Sequence, residues 1–148
     1  MKTTDYSDYI KQGLSILESE KLSCVLIKNG NTVYKSGERG IKPLLDLLEL
    51  EPRLLSRAFV VDKIIGKAAA LLLLKGGAEG VYGQVMSAAA LQCLTARGIP
   101  AGYGAQVDYI SNRAGNGACP METAVMDIND PETAYAKLKE TLKQLQGS

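Results

Sequence analysis

The chain of 148 residues contains no histidine and no tryptophan, a single phenylalanine and only three cysteines. Without histidine there is no Ser-His-Asp triad, no Cys-His pair, no imidazole acid or base and no His-containing zinc site. Cys24, Cys93 and Cys119 are an odd number in unrelated surroundings, which fits reduced thiols in the cytoplasm better than a disulfide framework. Charge of one sign is scarce as well. The 17 Lys and Arg against 16 Asp and Glu leave a net charge of +1, which argues against a protein that binds a nucleic-acid duplex through a clustered basic surface. The most apolar run, residues 64–74, is broken by Gly66 and Lys67 and is shorter than the roughly 20 residues that span a bilayer. The polar start, residues 1–8, has no apolar core of the kind a secretory signal needs. These absences predict one cytoplasmic domain, residues 1–148, with no membrane contact, no metal and no cofactor, large enough to fold on its core alone.

What is present is regular patterning. Tyr6, Ile10, Leu14 and Leu17 fall at helical spacing and predict an amphipathic helix over residues 6–19. Two β-rich runs, 22–28 and 32–36, flank Asn29-Gly30-Asn31, the signature of a tight hairpin. Residues 41–50 read as a short helix with Pro43 near its start and Pro52 beyond its end. A strand over 56–61 is expected to end at Asp62, which would cap a helix beginning at Lys63, apolar nearly all round and stopped by Gly76-Gly77. Residues 80–86 predict a second strand, with Ser87 capping a helix over 88–97. A third strand is expected over 103–110. A Gly- and Asn-rich loop follows at 112–117, in which Arg113 reads as an ordinary surface charge. Asp130-Pro131 then starts a closing helix with Tyr135, Leu138, Leu142 and Leu145 on one side. This order is an α/β fold: a mixed sheet, parallel in its second half through right-handed crossovers, with helices on both faces.

Ligands of open α/β sheets collect at the carboxyl ends of parallel strands, where the next helices begin. Two junctions qualify, Val61-Asp62-Lys63 through Lys67 and Gln84-Val85-Met86-Ser87-Ala88, and helix N-termini there favour an anion. Lys63 and Lys67, four apart, would share a helix face near the positive end of its dipole, so a carboxylate or a ligand anion should face them. The plain alternative is an exposed Lys63 and a Lys67 that extends its ammonium to water. Cys119-Pro120-Met121-Glu122 pairs a thiol with a carboxylate on one face if a helical turn starts at Pro120. Otherwise Cys119 is a packed turn residue. Cys24 and Cys93 read as small core residues. The candidate catalytic residues are thus Lys67, Cys119 and Glu122, and the candidate ligand-binding residues are Asp62, Lys63, Gln84 and Ser87.

The stretch Phe59-Val60-Val61-Asp62-Lys63-Ile64-Ile65-Gly66-Lys67-Ala68-Ala69-Ala70, together with Cys119-Pro120-Met121-Glu122 and the Asp130-Pro131 helix, resembles a small prokaryotic family of unknown function grouped with the cytidine deaminase-like superfamily. The resemblance implies a three-layer αβα sandwich around a mixed sheet of about five strands. Zinc-dependent deaminases carry His-x-Glu or Cys-x-Glu at the first helix start and Pro-Cys-x-x-Cys at the second. Here residues 62–68 hold lysines and no glutamate, and residues 85–90 read Val-Met-Ser-Ala-Ala-Ala. The resemblance therefore implies the fold without the zinc chemistry. Two functions fit: a site for a small anionic or nucleotide-like metabolite, with Cys119 and Lys67 available for chemistry, or a non-catalytic regulatory domain whose apolar helices form a homodimer.

Overall fold

A computed structural model describes residues 6–112 and 114–147; residues 1–5, Arg113 and Ser148 lie outside the described residues. Helix α1 (Ser7–Ser19) leads into a hairpin of β1 (Cys24–Lys28) and β2 (Asn31–Ser36). Asn29 and Gly30 both take positive φ, 51° and 82°, the backbone that a two-residue turn between antiparallel strands demands. Helix α2 (Lys42–Leu50) and a short 3-10 turn (Pro52–Leu54) come next. Then β3 (Phe59–Ile65), α3 (Lys67–Gly76), β4 (Gly80–Ser87), α4 (Ala88–Ala96) and β5 (Ala101–Val107) alternate. The short α5 (Pro120–Ala124) precedes the closing α6 (Pro131–Gly147).

The five strands form one mixed sheet in the order β2-β1-β3-β4-β5, antiparallel through β1 and parallel from β3 onward. Two successive crossovers run the same way, so right-handedness puts α3 and α4 on the same face. That face buries the main core: Leu26, Val60, Ile65, Val81 and Met86 pack against α2, α3, α4, α5 and α6. On the opposite face, among the described residues, α1 covers a smaller cluster of Leu17, Val25, Ile27, Phe59 and Val61. No helix among the described residues is long and apolar enough to cross a membrane.

The structure corrects the expected boundaries where the site was placed. Strand β3 is displaced toward the C-terminus, because its pairing with β4 continues through Ile64↔Val85 and Ile65↔Met86. Asp62 and Lys63 therefore lie inside the strand. The helix starts four residues later, at Lys67, with Gly66 at its N-cap position, so Asp62 does not cap it and Lys63 and Lys67 share no helix face. Inside β3 the alternation of sides slips. Val60 and Ile65, of opposite parity, face the same core, while Ile64 is 53% exposed. Strand β4 slips at the same level, since Val81 and Met86 both enter that core. Paired residues are found on either side of Lys63, Gln84 and Gly104, and not at them. One irregularity therefore runs across all three parallel strands. Strand β5 also begins and ends earlier than the expected 103–110. The apolar α3 is spent inside the chain, with Ala68 through Leu73 all buried.

Candidate functional site

The N-terminus of α3 is where two of the predicted residues, Lys67 and Glu122, meet. Gly66 is extended, with φ −101° and ψ −178°, and its carbonyl accepts the first helical bond from Ala70 N–H at 2.9 Å. The preceding N–H groups have no helical acceptor. Glu122 fills the gap: its Oε1 accepts from Lys67 N–H at 2.7 Å and its Oε2 from Ala68 N–H at 2.9 Å. A carboxylate held by two backbone donors at the positive end of a helix is a charge-assisted cap supplied from elsewhere in the chain. Gly66 makes room for it. A Cβ at this position would stand 2.5 Å from Glu122 Oε1 and 2.6 Å from Oε2.

The element that delivers Glu122 is tied at both ends. Cys119 N–H donates to Ile110 O at 2.9 Å, and the Cys119 carbonyl accepts from Glu122 N–H at 3.0 Å and Thr123 N–H at 3.1 Å, which sets the first turn of α5. At its far end the Lys67 ammonium donates to Met126 O at 2.9 Å. Lys67 thus braces the segment whose carboxylate caps its own helix. At the second junction Ser87, 1% exposed, accepts Ala90 N–H on its Oγ at 3.1 Å and caps α4.

Asp62 occupies a different place. It lies opposite Cys24 across the β1–β3 pair, and its Oδ1 accepts from Ile64 N–H at 3.1 Å. Burial pushes the Asp62 carboxyl up to about 6, against the opposing pull of the Ile64 N–H, the Cys24 thiol and the Lys63 backbone. Burial, together with the Asp62 charge, also raises the Cys24 thiol well above its ordinary range. Its thiolate is thereby disfavoured. Lys63 and Gln84 line a depression of about 410 Å³ with Leu17, Glu18 and Lys21 from the end of α1.

Comparison with known proteins places this arrangement in a family. The profile of the TM1506 family, a domain of unknown function (DUF1893), matches residues 13–142. The chain belongs to the DUF1893 family. The crystal structure of the DUF1893 protein TM1506 from Thermotoga maritima superposes with a TM-score of 0.84 at 26% sequence identity, over 95% of this chain and 94% of that one. No curated protein matches. Neither match extends to the cytidine deaminase-like grouping.

In this DUF1893 chain the predicted residues divide into four places. Lys67 and Glu122 come together at the α3 N-terminus, with Cys119 at the N-cap position of the short helix that carries Glu122; Lys63 and Gln84 line the depression beside α1, and Asp62 sits in the strand pair with Cys24. Ser87 is committed to the α4 cap. Gly66, Met126, Lys21 and Cys24 were not foreseen as participants. Gly66 had a signal, a glycine directly before the Lys-Ala-Ala-Ala helix start, which is a common N-cap choice. Lys21 and the Met126 carbonyl had none, because tertiary packing alone sets them in place. Among the described residues no group of three Cys, Asp or Glu side chains is arranged to hold a metal ion.

Proposed function

We infer that this DUF1893 chain is a non-catalytic binding domain for a small anionic metabolite, built on a cytidine deaminase-like frame without the zinc site. The anion sits toward the carboxyl ends of β3 and β4, in the depression between the sheet and α1 that Lys21, Lys63 and Gln84 line together with Leu17 and Glu18. One observation carries this reading. Lys21 and Lys63 line the same depression, beside Glu18, and neither ammonium is among the ion pairs or side-chain hydrogen bonds of the described residues. The other candidate groups are spent within the fold: Glu122 on Lys67 and Ala68, Lys67 on Met126, Ser87 on Ala90. A carboxylate already shared by two backbone donors is a poor general base, which weighs against chemistry at Cys119 and Glu122.

The test is a thermal-shift and calorimetric screen with inorganic phosphate, pyrophosphate and nucleoside mono- and diphosphates. A probe at ten times its Kd stabilises by about 1.4 kcal/mol, a rise in Tm of roughly 3–6 °C for a chain of this size. Replacing Lys21 and Lys63 together by Met should abolish that rise and leave the unliganded Tm within a degree or two, since both residues are exposed. No stabilisation by any probe, or an undiminished shift in the double variant, overturns the reading.

A further inference from the structure

The two edges of the sheet are built differently. At one edge, β2 carries Lys35, whose ammonium is paired to Glu20 at 2.8 Å. Its pairing with β1 shifts register between Leu26 and Ile27, and Gln12 from α1 binds Gly30 O and Thr32 Oγ1 beside it. A charge and a covering side chain are among the devices that keep an edge strand from pairing with another chain; the irregularity does not set this edge apart, since β5 slips at Gly104 as well. At the other edge, β5 reads Ala-Gly-Tyr-Gly-Ala-Gln-Val, with no charge and no proline. Residues 103–106 are exposed, Tyr103 at 41%. Beyond the β4 ladder, no residue of β5 shares a backbone hydrogen bond with another described residue.

We propose that β5 pairs antiparallel with β5 of a second copy about a twofold axis, joining two five-stranded sheets into one. Val81 N–H donates to Pro100 O, so alternation turns the N–H and C=O groups of Ala101 and Tyr103 away from β4. The slip at Gly104 then reverses the parity, and Gln106 faces outward next. An axis between Gly104 and Ala105 sets Tyr103 of one copy opposite Gln106 of the other, so outward groups meet outward groups. The same register brings Asp108 of one copy to Ala101 of the other. Parallel pairing of identical strands would stack Asp108 on Asp108 and would not close. A closed, isologous contact uses the free edge completely, and this makes a second copy a better fit than an unrelated peptide.

Sedimentation of the full chain from low to high micromolar concentration is expected to show a species of twice the 15.8 kDa chain mass. Tyr103→Pro removes an outward N–H and an exposed side chain and no bond to β4, so it should give a folded monomer with an unchanged far-UV spectrum. In the wild-type protein, hydrogen exchange at the Ala101 and Tyr103 amides should slow at least tenfold as concentration crosses the dimer range, a readout that does not depend on the variant folding. A chain that stays monomeric throughout, a dimer untouched by Tyr103→Pro, or amide protection independent of concentration refutes the pairing.

Discussion

Removing the Glu122 carboxylate tests how the start of α3 is held. Glu122→Ala leaves the Lys67 and Ala68 N–H groups without their acceptor. A buried donor left unsatisfied costs about 1–3 kcal/mol. Glu122 is half-buried, so water reaches part of the vacated space and the expected loss is about 2–4 kcal/mol. For a chain of this length that lowers Tm by roughly 5–15 °C. Glu122→Gln keeps one carbonyl acceptor but loses the charge and turns an NH2 toward the second donor, for a loss of about 1–2 kcal/mol.

Gly66 makes the test specific. With Glu122 in place, Gly66→Ala drives a methyl to within 2.5 Å of the carboxylate, an overpacking that costs about 1–3 kcal/mol. With Glu122→Ala already made, the obstacle is gone. The alanine then sits at φ −101°, which any residue adopts, and it stiffens the unfolded chain for a gain of about 0.5 kcal/mol. Urea denaturation of wild type, both single variants and the double variant, followed by circular dichroism, should give a coupling energy above about 1.5 kcal/mol. If the two substitutions add to within about 0.5 kcal/mol, or Glu122→Ala is neutral, the carboxylate does not hold the helix.

Asp62 predicts a pH effect of definite sign. Its folded carboxyl titrates near 6 against an ordinary 3.8, so the folded state holds its proton more tightly than the unfolded chain. That contribution is fully present below about pH 4 and is lost as the pH rises through 6, for a total of up to about 3 kcal/mol. Asp62→Asn should therefore match wild type at pH 4 and exceed it in stability at pH 7.5, as measured by thermal melts across that range; equal stability at both ends would show that burial does not govern the carboxyl. Ser87→Ala removes the acceptor for Ala90 N–H and should cost about 1 kcal/mol in urea denaturation, and a loss under about 0.3 kcal/mol would mean the hydroxyl is not needed as a cap.

The elements governed by local chemistry were legible. Asn29-Gly30 marked the hairpin turn, and Asp130-Pro131 marked the last helix, where Thr133 N–H donates to Asp130 Oδ2 at 2.8 Å. Ser87 was placed correctly as a cap, and Pro120 as the start of a turn carrying Glu122. The misreading fell on residues 59–67. A strand announces itself by alternation, and here alternation breaks at Lys63, so Asp-Lys-Ile-Ile-Gly-Lys resembles a capped helix start. The break is shared with β4 and β5, and it stabilises only because neighbouring strands slip together. No window on one segment contains that information. The same holds for Lys21, which joins Lys63 in lining the depression only through the packing of α1 on the sheet.

A positive helix end attracts whatever negative charge is nearest, and sequence alone leaves open whether that charge is a ligand's or the chain's. The structure answers for α3 with Glu122. This changes what a substitution at Lys67 can mean. Its ammonium braces the Met126 carbonyl at the end of the segment that carries Glu122, so a loss of binding on Lys67→Met would report a loosened cap as readily as a lost ligand contact. Lys21 and Lys63 carry no such ambiguity, because they hold nothing in place. The lysine beside the apolar helix, the most conspicuous charge in the sequence, is therefore the poorer probe of function, and the pair on the opposite face of the sheet is the better one.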